Sequence, residues 1–218
     1  MSDHVSRETP PAPASARGVF GDALSTAEQY AQLLATDGVV RGLIGPREVP
    51  RLWERHLLNC ALLGDAIPQG VSVCDIGSGA GLPGLVLALS RPDLSLTLVE
   101  PLLRRTTFLT EAATALGLSN VEVLRSRAED LHGRRTFAVV TSRAVAPLVR
   151  LLGWSMPLVA PGGALVAMKG ASVHEEISAA TQVLRAYDVG SVTVTALGVG
   201  VIDPPTTALR VETRRPRG

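Results

Sequence analysis

Lysine is almost absent from this chain. Of its 21 basic residues, 20 are arginine and one, Lys169, is lysine. Arginine excess of this kind most simply reflects a GC-rich genome. It leaves the single lysine as a place where a compact, rotatable ammonium is wanted instead of a planar guanidinium. Cysteine is scarce too. Two residues, Cys60 and Cys74, exclude a disulfide framework and a zinc site, and a reducing cytoplasm is the expected location. No apolar run reaches 18 residues, so no transmembrane helix is expected. Met1 to Phe20 is polar and proline-rich with no hydrophobic stretch, which excludes a secretory signal. With 46% hydrophobic and 19% charged residues, a disordered protein is excluded as well. The net charge of +1 names no partner.

What is present is the pattern of one ordinary domain with a helical extension. Residues 1–20 read as a disordered tail and 21–68 as N-terminal helices packed on the core, one over Ala23–Thr36 and one over Pro50–Gly64. In the second, Leu52, His56, Cys60 and Leu63 share an apolar stripe. From residue 69 to 218 short apolar runs alternate with helical ones. Strands are expected at Val71–Ile76, Ser95–Glu100, Val121–Arg125, Phe137–Thr141 and Ala164–Met168. The helices between them are Pro83–Ser90, Leu102–Leu116, a short turn near Glu129, and Pro147–Leu158. Continuous apolar strands alternating with helices predict an α/β fold with a mostly parallel sheet covered on both faces. After a helix at Val173–Ala186, stretches Ser191–Val199 and Ala208–Thr213 are joined through Asp203-Pro204-Pro205, too short a link for a crossover, so they are expected antiparallel.

The first strand runs into Gly77-Ser78-Gly79-Ala80-Gly81-Leu82-Pro83-Gly84 and then a helix. Glycines at such a turn let a cofactor approach the backbone. Gly79, Gly81 and Gly84 satisfy the dinucleotide spacing, so a nicotinamide oxidoreductase stays open. The G-x-G-x-G run directly after Asp75-Ile76 looks instead like the S-adenosylmethionine loop of Rossmann-like methyltransferases. Glu100 ends the second strand, where a carboxylate accepts from both ribose hydroxyls of either cofactor. Ala128 and Glu129, after the third strand, face the adenine side, where the Ala128 N–H and the Glu129 carboxylate would read the base edge. Glu129 reads equally as a capping acid.

The fourth strand runs into Ser142-Arg143-Ala144 beside the glycine loop, where a substrate meets the cofactor. An Asp/Asn-Pro-Pro-aromatic motif, expected of an amino-methyltransferase, is not there. Asp203-Pro204-Pro205 follows the wrong strand and reads as a turn. Cys60 and Cys74 read as core residues, leaving no nucleophilic thiol. The acceptor then needs neither a base nor a covalent intermediate. Guanine N7, an unprotonated lone pair at neutral pH, fits, and alignment does most of the work. Arg143 would hold O6 alone or a phosphate, because its usual bidentate contact covers N7. Lys169-Gly170 ends the fifth strand on the same edge. Arg104 and Arg105 open a helix whose dipole opposes them, which suggests RNA phosphate or a solvated face. His56 reads as a packed core residue unless its stripe docks near the sheet edge.

Together these residues resemble the RsmG (GidB) family of bacterial small-subunit ribosomal RNA methyltransferases. The resemblance covers about Trp53 to Gly170. It is carried by Arg55-His56 with Asn59-Cys60, Asp75 through Gly84, Leu98-Val99-Glu100, Arg104-Arg105 with Phe108-Leu109, Arg127-Ala128-Glu129, Ser142-Arg143-Ala144 and Lys169-Gly170. It implies a Rossmann-like class I fold, a seven-stranded sheet with an antiparallel last strand, and S-adenosylmethionine as cofactor. It implies methyl transfer to N7 of guanine-527, in the 530 loop of 16S rRNA in the small ribosomal subunit, with no membrane, metal or obligate protein partner and no demand for a dimer. Carried over, Asp75, Gly77, Gly79, Gly81, Leu82, Pro83, Gly84, Glu100, Ala128, Glu129 and Arg143 bind the cofactor. His56, Arg127, Arg143 and Lys169 line the cofactor and guanine pocket. Two departures stand out. Asn59-Cys60 replaces the family's frequent Asp-Ser, and Arg104-Arg105 replaces Lys-Lys with its charge kept. A small-molecule methyltransferase and a non-enzymatic ribosome-binding protein are the other readings.

Overall fold

The computed structural model describes residues 9–143 and 146–214. Seven strands form one sheet in the order β3-β2-β1-β4-β5-β7-β6. They are β1 (Ser72–Ile76), β2 (Ser95–Val99), β3 (Val121–Leu124), β4 (Phe137–Arg143), β5 (Val159–Lys169), β6 (Val189–Leu197) and β7 (Thr206–Thr213). The first five run parallel. β7 lies antiparallel between β5 and β6, as the short link predicts. β4 continues two residues past the expected Thr141, and β5 begins five residues before Ala164. Both extensions are polar or glycine-containing and held by neighbouring strands, which apolar pattern alone does not reveal.

Side chains alternate across the sheet. Val73, Val139, Ala164 and Val166 face one apolar cluster, and Cys74, Val140, Leu165 and Ala167 face the other. The first face is covered by α4 (Gly84–Ser90) and α5 (Leu103–Ala115), the second by α6 (Leu148–Ser155), α7 (Val173–Ala179) and α8 (Thr181–Ala186). In α4 every residue from Gly84 to Leu89 is buried. Such a helix needs apolar cover on all sides, and the N-terminal helices α1 (Ala14–Phe20), α2 (Leu24–Leu33) and α3 (Asn59–Leu62) supply it.

The expectation of a disordered tail through residue 20 is corrected by α1. Its Ala16 and Phe20, one turn apart, are buried. Phe20 meets Trp53 edge-to-face at 6.1 Å, and the Trp53 indole donates to the Pro10 carbonyl at 2.9 Å. The proline-rich composition hides two anchors that only a tertiary partner makes useful. Residues 1–8 lie outside the described residues, as do Ala144 and the basic Arg215 and Arg217.

The helix expected from Pro50 starts instead as a 3-10 segment at Pro46–Arg51, widens into a π-helical stretch at Leu52–Leu58, and becomes α-helical at Asn59. The wide turn buries Leu52, Trp53, His56, Leu57 and Leu58 together, and π turns of this kind favour functional sites. The helix expected over Val173–Ala186 is interrupted at Ala180. The Ser178 hydroxyl donates to His174 O and Thr181 to Ser178 O, back-bonds that compete with the helical ladder.

Candidate active site

The carboxyl ends of β1 through β5 share one edge of the sheet, and two clefts open there. The first, about 470 Å³, lies over the ends of β1, β2 and β3. Gly77, Glu100, Arg127, Ala128, Glu129 and Arg143 all line it. The sheet thus brings Gly77, Glu100, Ala128, Glu129 and Arg143 of the expected cofactor residues together from four separate strand ends, whereas Asp75, Gly79, Gly81, Leu82, Pro83 and Gly84 do not line this cleft. Trp154 closes the same cleft, a residue that no motif marks.

The glycine loop is built by its backbone. Gly77, Gly79 and Gly81 have φ of 68°, 58° and 92°, conformations that L side chains rarely hold. At Gly81 a Cβ would meet the Tyr30 hydroxyl at 2.8 Å, and at Gly84 the Asp75 carboxylate at 2.7 Å. Tyr30, fully buried, donates to Ala80 O at 2.5 Å and ties the loop to α2. Sequence reasoning missed this tether, because its partner is a main-chain carbonyl. Leu82 turns into the core on the α4 face, and Pro83 sits directly before the first residue of α4; both shape the loop from beneath.

Two buried carboxylates support it. Glu100 accepts from Gly79 N at 3.1 Å, Leu102 N at 3.1 Å and Arg105 at 3.4 Å. A carboxylate offers about four acceptor sites, so one remains for a ribose hydroxyl. Arg105 therefore has an internal partner, whereas Arg104 is exposed beside it. Asp75 accepts from Gly84 N at 3.1 Å through one oxygen, while its other oxygen has no protein partner. Burial pushes its pKa up to about 7, against hydrogen bonds and the Arg143 charge that favour the anion. The main-chain cradle, the spare capacity on Glu100 and the unpaired Asp75 oxygen fit a cofactor carrying a ribose and a cationic amine.

The second cleft, about 1110 Å³, lies over β4 and β5 and is walled by His56, Arg143, Lys169 and the Asp203-Pro204-Pro205 turn. Arg143 alone among the expected residues lines both clefts. Its guanidinium donates to His56 Nδ1 at 2.6 Å and to Arg55 O at 3.1 Å. His56 Nε2 lies 2.9 Å from the Glu48 carboxylate. Burial lowers the His56 pKa, Arg143 lowers it further, and Glu48 works against both. The His56 stripe thus docks on the sheet edge and delivers the imidazole to the cleft.

Lys169 is spoken for. Its ammonium is 2.7 Å from Glu176 and 3.3 Å from Ala146 O. Burial works to raise the Glu176 pKa, but the hydrogen bonds from Lys169 and Leu148 N carry it below the usual carboxylate range. Asn59 accepts from the Thr206 hydroxyl and donates to Glu54 O at 2.7 Å. Burial raises the Cys60 thiol to about 11 and the Cys74 thiol further still, so neither is a thiolate at neutral pH. Among the described residues no group of His, Cys, Asp and Glu is arranged to hold a metal, and no helix is long and apolar enough to cross a membrane.

The family model described as rRNA small subunit methyltransferase G (GidB) matches residues 23–200. The chain belongs to this family. The ribosomal RNA small subunit methyltransferase G of a Nocardioides species is 65% identical over 212 residues, covering 97% of this chain and 85% of its own. That of Streptomyces avermitilis is 57% identical over 206 residues, covering 94% and 87%. Among solved structures, an S-adenosylmethionine-dependent O-methyltransferase from Thermotoga maritima superposes with a TM-score of 0.57 at 11% identity, over 74% of this chain and 66% of that one. A precorrin-6y C5,15-methyltransferase from Geobacter metallireducens gives 0.52 at 14%, over 79% and 90%. At such identities they speak for the Rossmann-like fold alone. As a member of its family the chain is an rRNA methyltransferase with S-adenosylmethionine as cofactor, which sets the nicotinamide reading aside.

Proposed function

We propose that this methyltransferase modifies N7 of guanine-527 in the 530 loop of 16S rRNA, on the small ribosomal subunit, as a monomer in the cytoplasm. The observation that carries this reading is Arg143, the residue shared by both clefts. S-adenosylmethionine supplies an electrophilic methyl on a sulfonium. The chain's work is alignment: the glycine loop and Glu100 hold the donor side, Ala128 and Glu129 meet its base, and the His56–Arg143 wall receives the guanine. N7 carries no proton, so no base is required, and with both thiols protonated no covalent intermediate is formed on cysteine. Arg143 holds O6 or a neighbouring phosphate, which leaves N7 free. Arg127, exposed at the rim of the first cleft, faces the incoming RNA. Lys169, paired with Glu176, shapes the wall around Ala146 and Pro147.

Labelled S-adenosylmethionine incubated with small subunits from a strain lacking this methylation tests the reading. Label confined to one guanine N7 in 16S rRNA is the expected result. Transfer to a small molecule alone would move the small-molecule methyltransferase to the front. Cofactor-independent subunit binding with no transfer would favour a ribosome-binding protein.

A further inference from the structure

Glu48 belongs to no motif, and it lies in a 3-10 segment where a plain helix is not continued. Its two oxygens are nevertheless divided with care. One is 2.9 Å from His56 Nε2 and the other 3.5 Å from the Arg55 guanidinium. Arg143 can only donate, so His56 Nδ1, 2.6 Å away, must accept. Nε2 then carries the hydrogen and donates it to Glu48. The network fixes the tautomer, and it fixes which way Arg143 points, because Arg55 O takes its second nitrogen at 3.1 Å.

We propose that Glu48 is a positioning residue, which holds the imidazole of His56 in its Nε2–H form and through it aims Arg143 at the junction of the two clefts. This rests on the reading that Arg143 meets the substrate. The relay works only with neutral His56. Protonation puts a hydrogen on Nδ1, removes the acceptor and sets two cations face to face. The charged groups acting on the imidazole are Glu48 from the 3-10 segment, Arg55 from its own helix and Arg143 from β4, with Arg51 acting on Glu48; Lys169 of β5 is neutralised by Glu176. Among these Glu48 is the one that favours the imidazolium, so removing its charge makes His56 harder to protonate.

The test combines kinetics with a readout that needs no activity. Nitrogen-15 NMR of the full chain, with His56 assigned through His56→Gln, reports the tautomer; Nε2–H is expected, and Nδ1–H would overturn the relay. Glu48→Ala should lower kcat about tenfold or more while S-adenosylmethionine Kd stays within about twofold. Glu48→Gln, whose amide oxygen still accepts from Nε2–H, should recover most of the turnover. Its acid limb should move to lower pH, a shift that loss of packing alone does not produce. Turnover unchanged in Glu48→Ala, or an acid limb unmoved in Glu48→Gln, would overturn the proposal. Unchanged turnover in Arg143→Ala would instead overturn the active-site reading, and the NMR tautomer separates that failure from the failure of the relay.

Discussion

The two clefts are built from different materials. The smaller cleft is made of main chain: three glycines at positive φ, backbone amides, and one carboxylate that those amides surround. The larger cleft is made of side chains in series, Glu48 to His56 to Arg143 on one wall and Glu176 to Lys169 on the other. A main-chain site offers little to delete, so it is broken by adding atoms. A side-chain site is broken by taking them away. The same contrast governs burial of charge. Glu100 and Asp75 sit at neighbouring strand ends and are both buried, but Glu100 has three donors and Asp75 lacks a partner on one oxygen. Unpaired buried charge is the costly kind, and burial raises the proton affinity of Asp75.

The strongest way to break the contrast is truncation at the shared residue. Arg143→Ala should reduce kcat for methyl transfer by about 10²–10³-fold, the range for losing one oriented charge donor. Stopped assays on subunits measure it; a loss under fivefold would mean that the larger cleft does not depend on this side chain. Next comes one added methyl in the loop. Gly84→Ala drives a Cβ into the Asp75 carboxylate and Leu98, and overpacking of this kind costs about 1–3 kcal/mol. Denaturant unfolding should show that loss together with weakened cofactor binding.

Asp75 offers a pH signature. Its folded pKa, about 7, lies above the ordinary carboxylate value. Between roughly pH 4 and 7 the native state holds a proton that the unfolded chain releases. Stability therefore falls as pH rises through that window, by up to about 1.4 kcal/mol per unit from this group. In Asp75→Asn, whose side chain does not titrate and whose amide oxygen still accepts from Gly84 N, that component should vanish from the stability profile. The smallest effect separates two adjacent arginines. Arg104→Ala should lessen the salt dependence of RNA binding by about 0.7–0.9 in log–log slope and leave cofactor affinity alone. Arg105→Ala should also weaken the cofactor, since it removes a donor from Glu100. Matching behaviour of the two variants would erase that distinction.

The main-chain cleft was the more legible in sequence. Glycines that must adopt positive φ leave a literal trace, and Gly77 through Gly84 with Glu100 predict both the loop and the strand that supports it. The side-chain cleft was half legible. Arg143 and Lys169 are visible as residue types at strand ends and His56 as one on a helical apolar stripe, but their partners are not. Glu48 meets His56 from the 3-10 segment before the widened helical turn, and Glu176 meets Lys169 from the first turn of α7; neither leaves a pattern in spacing. Lys169 was singled out for its rarity. The structure ties it to Glu176, so its place is in the wall, beside the Ala146 carbonyl. The N-terminal helix escaped notice because Ala16 and Phe20 acquire meaning only once Trp53 and α4 are in place.

The strand order carries a consequence for synthesis. β7 comes last of the seven in the sequence, yet it stands inside the sheet, and it is the neighbour through which β6 joins. Thr206 at its start also reaches the Asn59 side chain across the cleft. A nascent chain emerging from the ribosome at about 5–20 residues per second thus exposes β6 before there is anything to pair it with. The edge of β5 and the wall at Asn59 stay open until Thr206–Thr213 arrives. The sheet's assembly is keyed to its final strand, and a message cut short before that strand yields a sheet that stops at β5, with the Thr206 wall of the larger cleft unbuilt.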